Sequence, residues 1–207
     1  MECARLIPYY VKRRFFCFRS QEHFPWLPGL LFVVEEGREG SMRAVVQRVL
    51  SARVDVEEKT VSKIGPGLLV LVGVGDSDAD ADSDFICRKI LNMRLFTNEK
   101  IGKAWDQSVM QKNYEVLLVS QFTLYGLLKG NKPDFHLAMP PQQAEPFYNS
   151  FAAKVSKAYK PELVKDGIFG AMMQIHLVND GPVTMHLDSR KSIGSGTVES
   201  QEVSSDV

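Results

Sequence analysis

Ser120-Gln121-Phe122-Thr123-Leu124 places two hydroxyls and a primary amide directly after the apolar run Val116 to Val119. A Ser-Gln pair at a strand end can offer hydroxyl, amide and backbone N–H groups to a ligand, and Thr123 adds a second hydroxyl. The same residues also describe a strand edge running on into a loop, and functional loops are few among all loops. Downstream, the segment from Lys129 to Pro140 mixes Gly, Pro, Lys and aromatic residues in a loop too long for a tight turn. Lys129 and Lys132 suit phosphates, while Phe135 and His136 suit stacking on a base. A rigid connection with solvated lysines fits that composition equally. A third segment, Asn179-Asp180-Gly181-Pro182-Val183-Thr184, reads on its own as a turn between two strands, and only about 5–6% of X–Pro bonds are cis in folded proteins.

Several familiar chemistries find no support. Gly73-Val74-Gly75-Asp76-Ser77-Asp78 begins like a dinucleotide fingerprint, but an aspartate stands at the third glycine and the acids would repel a pyrophosphate. Asp76, Asp78, Asp80 and Asp82 alternate like a calcium loop. Glycine is missing at its sixth position and glutamate at its twelfth, so a solvated acidic loop leading into a helix is the simpler reading. His176 and His186 have no Cys or Glu at ligand spacing, and no metal or cofactor is expected. No Gly-x-Ser-x-Gly elbow occurs, and no local serine–histidine–acid set. If the chain hydrolyses anything, positioned backbone groups and the substrate itself must do much of the chemistry.

The elements that would hold these segments are read from periodicity. Ala44 to Val49 and Ala52 to Val56 read as strand, Val61 to Ile64 as a short strand ended by Gly65-Pro66-Gly67, and Leu68 to Val74 as a buried strand. Asp80, Asp82 and Asp84 suit a helix N-terminus, followed by Ile86, Ile90 and Met93 on one face. Glu115 to Gln121 is another strand. From Gln142 to Tyr159 the residues Tyr148, Phe151, Ala152, Val155 and Tyr159 repeat at helical spacing. Phe169 to Val178 and Val183 to Leu187 read as two strands joined by Asn179 to Pro182. Strands outnumber helices without alternating with them, which argues for an α+β fold of packed or partly closed β-sheets with two main helices, and against a doubly wound parallel sheet.

At 207 residues, 44% hydrophobic and 24% charged, with zero formal net charge, the chain suits one soluble domain plus tails. An RNA partner would need a local basic patch. Cys3, Cys17 and Cys87 form no disulfide framework and indicate a reducing compartment. No apolar run approaches the roughly 20 residues that span a bilayer. Residues 1–41 are basic at first and aromatic-rich, either a transit peptide or an alternative-start, poorly ordered extension. Residues 42–190 form the domain, and 191–207 read as a disordered polar tail. The compartment expected is cytoplasmic, or a mitochondrion or chloroplast if 1–41 is a transit peptide.

Taken together, Ser-Gln-Phe-Thr-Leu, Gly-Asn-Lys-Pro-Asp-Phe-His-Leu-Ala and Asn-Asp-Gly-Pro-Val-Thr, in this order, resemble the D-aminoacyl-tRNA deacylases (the D-tyrosyl-tRNA deacylase family). Met42-Arg43-Ala44-Val45-Val46-Gln47-Arg48-Val49 and Lys165-Asp166-Gly167-Ile168-Phe169-Gly170 add to the match, which runs from about Met42 to Leu187. The resemblance implies chirality proofreading in translation: hydrolysis of the ester of D-aminoacyl-tRNA, and of glycyl-tRNA, since glycine escapes a test of handedness. It implies a homodimer with active sites at the interface, binding the aminoacyl-tRNA 3′ end.

Carried over by position, Ser120, Gln121, Phe122 and Thr123 form the catalytic strand end and loop. Ala138, Phe169 and Met173 line the pocket, and Lys129, Lys132 and His136 meet the RNA. Gly181 and Pro182, joined by a cis bond in the family, reach into the partner's site as a steric filter. Thr123 is the obvious nucleophile but has no base beside it, so attack by water assisted by the ribose 2′-OH is expected instead. The resemblance places the test of handedness in this filter: a trans, extended Gly181–Pro182, or one far from any suitable cavity, would contradict it. The rivals are a non-enzymatic nucleic-acid-binding module and a general esterase or peptidase.

Overall fold

The phase of burial along one long strand organises the molecule. The computed structural model describes residues 41–190; the expectations for residues 1–40 and for the tail 191–207 lie outside the described residues. In β1 (Arg43–Val56), Ala44 and Val46 are buried on one face, and the buried set then moves to Val49, Ala52 and Val54. Side chains alternate with period two, so the odd step from Val46 to Val49 changes face, and the extra residue between Val49 and Ser51 keeps Ala52 and Val54 on the side of Val49. Register irregularities against β10 (Gln174–Asp188) accompany it, at Gln47/Val49 and Val49/Ser51.

The first half of β1 pairs with β3 (Gly67–Gly73) and the second half with β2 (Lys59–Ile64). The six-stranded sheet runs β10-β1-β3-β6-β9, with β2 on β1, where β6 is Glu115–Ser120 and β9 is Val164–Asp166. The β3–β6 and β6–β9 pairs are parallel and the rest antiparallel. The Ser62 hydroxyl in β2 donates to the Asp166 carbonyl in β9, and the Gly65 N–H donates to the Glu115 carboxylate at 2.6 Å, so the sheet curls back toward itself.

Two cores result. Leu68, Val70, Val116 and Leu118 pack with Ile86, Ile90, Tyr148 and Phe151 from the helices, while Leu69, Leu117 and Val119 pack inside the curl with Val49, Ala52 and Val54. Burial on both faces explains why β3 and β6 are nearly continuous apolar runs. α1 (Asp80–Asn92) starts where the acidic residues indicated, and the Asp82 carboxylate accepts the Ala79 N–H at 3.0 Å. α3 (Pro141–Ala158) buries Ala144, Tyr148, Phe151 and Val155, and α2 (Val109–Lys112) is one turn. The architecture is α+β, as expected.

The structure departs from the sequence expectation at several places. β10 begins at Gln174 and not at Phe169, because the chain first turns at Gly170 (φ +74), with Ala171 N–H donating to Ile168 O. Asn179 to Pro182 does not join two strands; both flanks pair with β1, Asn179 opposite Val49 and Thr184 opposite Gln47, and the residues between bulge outward within one strand. The stretch beginning at Lys129 is not simply loop: β7 (Leu127–Lys129) and β8 (Lys132–Asp134) form a hairpin across Gly130-Asn131, with Gly130 at φ +63. A second hairpin, β4 (Phe96–Asn98) with β5 (Lys103–Gln107), lies in a stretch for which the sequence gives no strand expectation. Finally, the acidic loop is not wholly solvated, as Asp78 shows below.

Candidate active site

β3 and β6 are parallel, so their carboxyl ends lie together, Val72 beside Ser120. One further bond, Gln121 N–H to Val72 O at 2.7 Å, extends the ladder before the chain leaves it. Phe122–Tyr125 then forms a 3-10 turn, closed by Leu124 N–H to Gln121 O at 3.3 Å and Gly126 N–H to Thr123 O at 2.9 Å. The N–H groups of Phe122 and Thr123 precede the first of these bonds, so the turn itself gives them no acceptor. A cavity of about 800 Å³ opens around this strand end, within the range of small-molecule sites.

Ser120, Gln121 and Phe122 form one wall, Ala138 and Met139 a second, and Phe169 and Met173 a third, with Ala144 and Tyr148 from α3 closing the base. Main-chain bonds pin the Ala138 wall: Asp76 N–H to Leu137 O at 3.1 Å and Met139 N–H to Val74 O at 3.0 Å. The structure thus brings together Ser120, Gln121, Phe122, Ala138, Phe169 and Met173 as the sequence indicated. Phe122 is exposed and meets Phe135 edge-to-face at 5.0 Å.

Thr123 stands outside the cavity lining. Its hydroxyl accepts from Gln121 Nε2 at 2.5 Å, and an amide donor draws electron density from that oxygen instead of removing its proton. Lys129, Lys132 and His136 are exposed and do not line the cavity either. Lys129 pairs with Asp134, and His136 binds the same carboxylate through Nδ1 at 3.0 Å and its main-chain N–H at 3.1 Å. The Lys129 ammonium, followed by His136, holds the Asp134 carboxyl far below its ordinary range.

Gly181 and Pro182 differ from expectation in two respects. No described peptide bond is cis, so the Gly181–Pro182 bond is trans, with Gly181 at φ +46. Pro182 is exposed, and an unconstrained X–Pro bond favours trans by about 0.5–1 kcal/mol. The pair is also absent from the cavity lining. It bulges opposite Arg48, whose β3 neighbour Leu68 lies four residues before Val72, a run of about 13 Å along the strand. Arg48 holds the bulge, with Nε 3.2 Å from Asp180 O and 3.0 Å from its carboxylate. The expected cis isomer is therefore corrected to trans.

Sequence reasoning placed Tyr148 on the helix face without assigning it to the site. Its hydroxyl donates to Asp166 Oδ1 at 2.5 Å and its ring lies 5.7 Å from that of Phe169. Burial pushes the tyrosine hydroxyl and the Asp166 carboxyl upward. Helical spacing marks such a residue as core, and no local pattern signals its partner in β9.

The family described as D-Tyr-tRNA(Tyr) deacylase matches residues 45–188. Human D-aminoacyl-tRNA deacylase 1 is 54% identical over 163 residues, covering 79% of this chain and 77% of the relative. The D-aminoacyl-tRNA deacylase of Dictyostelium discoideum is 53% identical over 150 residues, 72% of this chain and 99% of that protein. Among solved structures, one titled c-Myc DNA Unwinding Element Binding Protein is 57% identical, with a TM-score of 0.68, over 70% of this chain and 97% of that one. A match across most of the described domain, at more than half identity, means that this chain belongs to the D-tyrosyl-tRNA deacylase family.

Proposed function

We propose that residues 42–190 are a deacylase domain that hydrolyses the ester bond of D-aminoacyl-tRNA, releasing tRNA and the D-amino acid. The observation that carries this reading is a cavity of about 800 Å³ at the end of β6, with Phe122 of the following turn in its wall, in a chain whose relatives are named for that reaction. The aminoacyl end of tRNA occupies the cavity between Phe122, Ala138, Phe169 and Met173. Water attacks the ester carbon, assisted by the 2′-OH of the terminal adenosine. The Phe122 and Thr123 N–H groups stabilise the oxyanion that forms. The bond to the ribose oxygen then breaks, and that oxygen leaves with a proton. Thr123 helps to hold the loop and is not the nucleophile, consistent with the donor it accepts from Gln121.

Handedness is tested by Gly181 and Pro182 of a second copy. Two observations support this: the pair lies off its own chain's cavity, and exposed Leu177, Val178 and Met185 flank it on β10. A rigid clash excludes an L side chain and admits hydrogen or a D side chain. Lys132, His136 and Lys129 meet the RNA near the rim. No described helix is long and apolar enough to cross a membrane, and the cytoplasm is the proposed compartment, with an organelle as the alternative if residues 1–41 direct import.

Release of tyrosine from D- and L-tyrosyl-tRNA, and of glycine from glycyl-tRNA, tests the reading. The D-tyrosyl and glycyl esters should be cleared at enzyme levels that spare the L-tyrosyl ester. Equal clearance of both tyrosyl esters would refute the filter, and resistance of glycyl-tRNA would show that it is not purely steric.

A further inference from the structure

Gly73-Val74-Gly75 and Asp78, which lack the third glycine of a dinucleotide fingerprint, have a different use. The Tyr125 ring closes the 3-10 turn and lies on the flat backbone those glycines leave. A Cβ on Gly73 would come 3.0 Å from Tyr125 Cε2, and one on Gly75 would come 3.0 Å from both Cε1 and the hydroxyl. The Arg43 guanidinium lies 4.6 Å from the ring centroid, and its Nη1 donates to Leu124 O, inside the same turn, at 2.9 Å. The Tyr125 hydroxyl donates to Ser41 O and lies 3.4 Å from an oxygen of Asp78, whose carboxylate also accepts the N–H groups of Gly75 at 2.6 Å and Ser41 at 2.7 Å. Tyr125 is 3% exposed, although Phe122 and Thr123, three and two residues earlier, are exposed.

We propose that Tyr125, seated on Gly73 and Gly75 and tethered at Ser41 and Asp78, is a positioning residue for the reaction. It fixes the height and tilt of the turn, and with them the direction of the Phe122 and Thr123 N–H groups. The proposal rests on the reading above that these groups receive the oxyanion. Donors of this kind act only when aimed at where charge develops, so a small displacement slows the chemical step while leaving the contacts that bind tRNA in place.

Tyr125→Phe keeps the ring and removes the tether; Gly75→Ala keeps the tether and pushes on the ring. Single-turnover release from D-tyrosyl-tRNA by the full chain should slow about tenfold in each, short of the 10²–10³ that loss of a whole oxyanion donor costs. KM should stay within about twofold, and circular dichroism should show both variants folded at the assay temperature. Because both changes act through one ring, the double variant should be no slower than about the slower single one. Phe122→Pro, which deletes one N–H at a position that tolerates proline, is run alongside.

A slow Phe122→Pro beside a Tyr125→Phe at the wild-type rate would overturn the positioning role and leave the turn in place. Wild-type rates in both would remove the turn from the reaction, and the positioning role with it. Multiplying losses in the double variant, or losses explained by the unfolded fraction, would reduce Tyr125 to a packing residue.

Discussion

The turn after β6 and the bulge in β10 are held in opposite ways. Around the turn, Tyr125 is buried on bare glycine backbone, Arg43 binds both its ring and a carbonyl beside it, and β3 and β6 are in register beneath. The bulge projects outward with Gly181 and Pro182 exposed, and Arg48 is the side chain seen to hold it. On the proposed reading a single chain aims the reacting groups, while Gly181 and Pro182, proposed above as the handedness filter, lie off its own cavity. If a second copy supplies the filter, as proposed, chemistry belongs to one subunit and selectivity to its neighbour, and each side can be disturbed alone.

The largest effect should come from the substrate. A terminal 2′-deoxyadenosine removes the assisting hydroxyl and should slow release by about 10²–10⁴, whereas Thr123→Ala should keep most of the wild-type rate. The reverse pattern would make Thr123 the nucleophile. On the bulge side, Arg48→Met deletes a charge-assisted bond to Asp180 O, worth about 1.5–3 kcal/mol. The D-over-L preference should fall at least tenfold while the rate on D-tyrosyl-tRNA changes little, as paired assays would show. Loss of rate with preference intact would erase the division between the two regions.

Beneath the turn, a Cβ on Gly67 would sit 1.9 Å from the Glu115 carbonyl oxygen. Gly67→Ala must therefore spread the β3–β6 pair, costing about 1–3 kcal/mol in denaturant unfolding; an unchanged midpoint would mean that this junction is slack.

The smallest effect is electrostatic. Burial pushes the Asp78 carboxyl up to about 6 from its ordinary 3.8, although the Gly75 and Ser41 N–H groups pull it down. Between those values the folded protein keeps a proton that the unfolded chain releases, so stability from this group falls as pH rises from about 4 to 6 and is level above. Thermal melts of wild type and Asp78→Asn should differ in slope across that window only. A constant difference would mean that the carboxylate stays ionised throughout.

The helices and central strands were legible because their burial is periodic or continuous. Tyr148 to Val155 mark one face of α3, and Leu68 to Val72 are apolar because both sides are covered. The hairpin at Leu127 to Asp134 was missed because Pro133 argues against a strand and its pairing is only three residues long. Asn179 to Pro182 carries the chemistry of a turn, and that local signal outweighed the long-range pairing that runs one strand past it.

Among the site residues, Ser120 to Phe122, Ala138, Phe169 and Met173 were found together through resemblance to a family, not through periodicity. Asp78, Tyr125 and Tyr148 escaped because their partners are distant in sequence: Ser41 lies 84 positions from Tyr125 and Asp166 lies 18 from Tyr148. The same distance disguised Gly73 and Gly75, whose meaning depends on a ring fifty residues on.

A mixed dimer tests the division of labour most directly. One chain would carry Ala138→Phe, which fills its cavity, and the other would lack Gly181 and Pro182; the pair would be purified together through two different tags. Each parent alone should fail, the first to release D-tyrosine and the second to spare L-tyrosyl-tRNA. The mixed dimer should recover D-selective release, because its open cavity faces an intact filter. A mixed dimer no more selective than the filter-deleted parent would contradict the account.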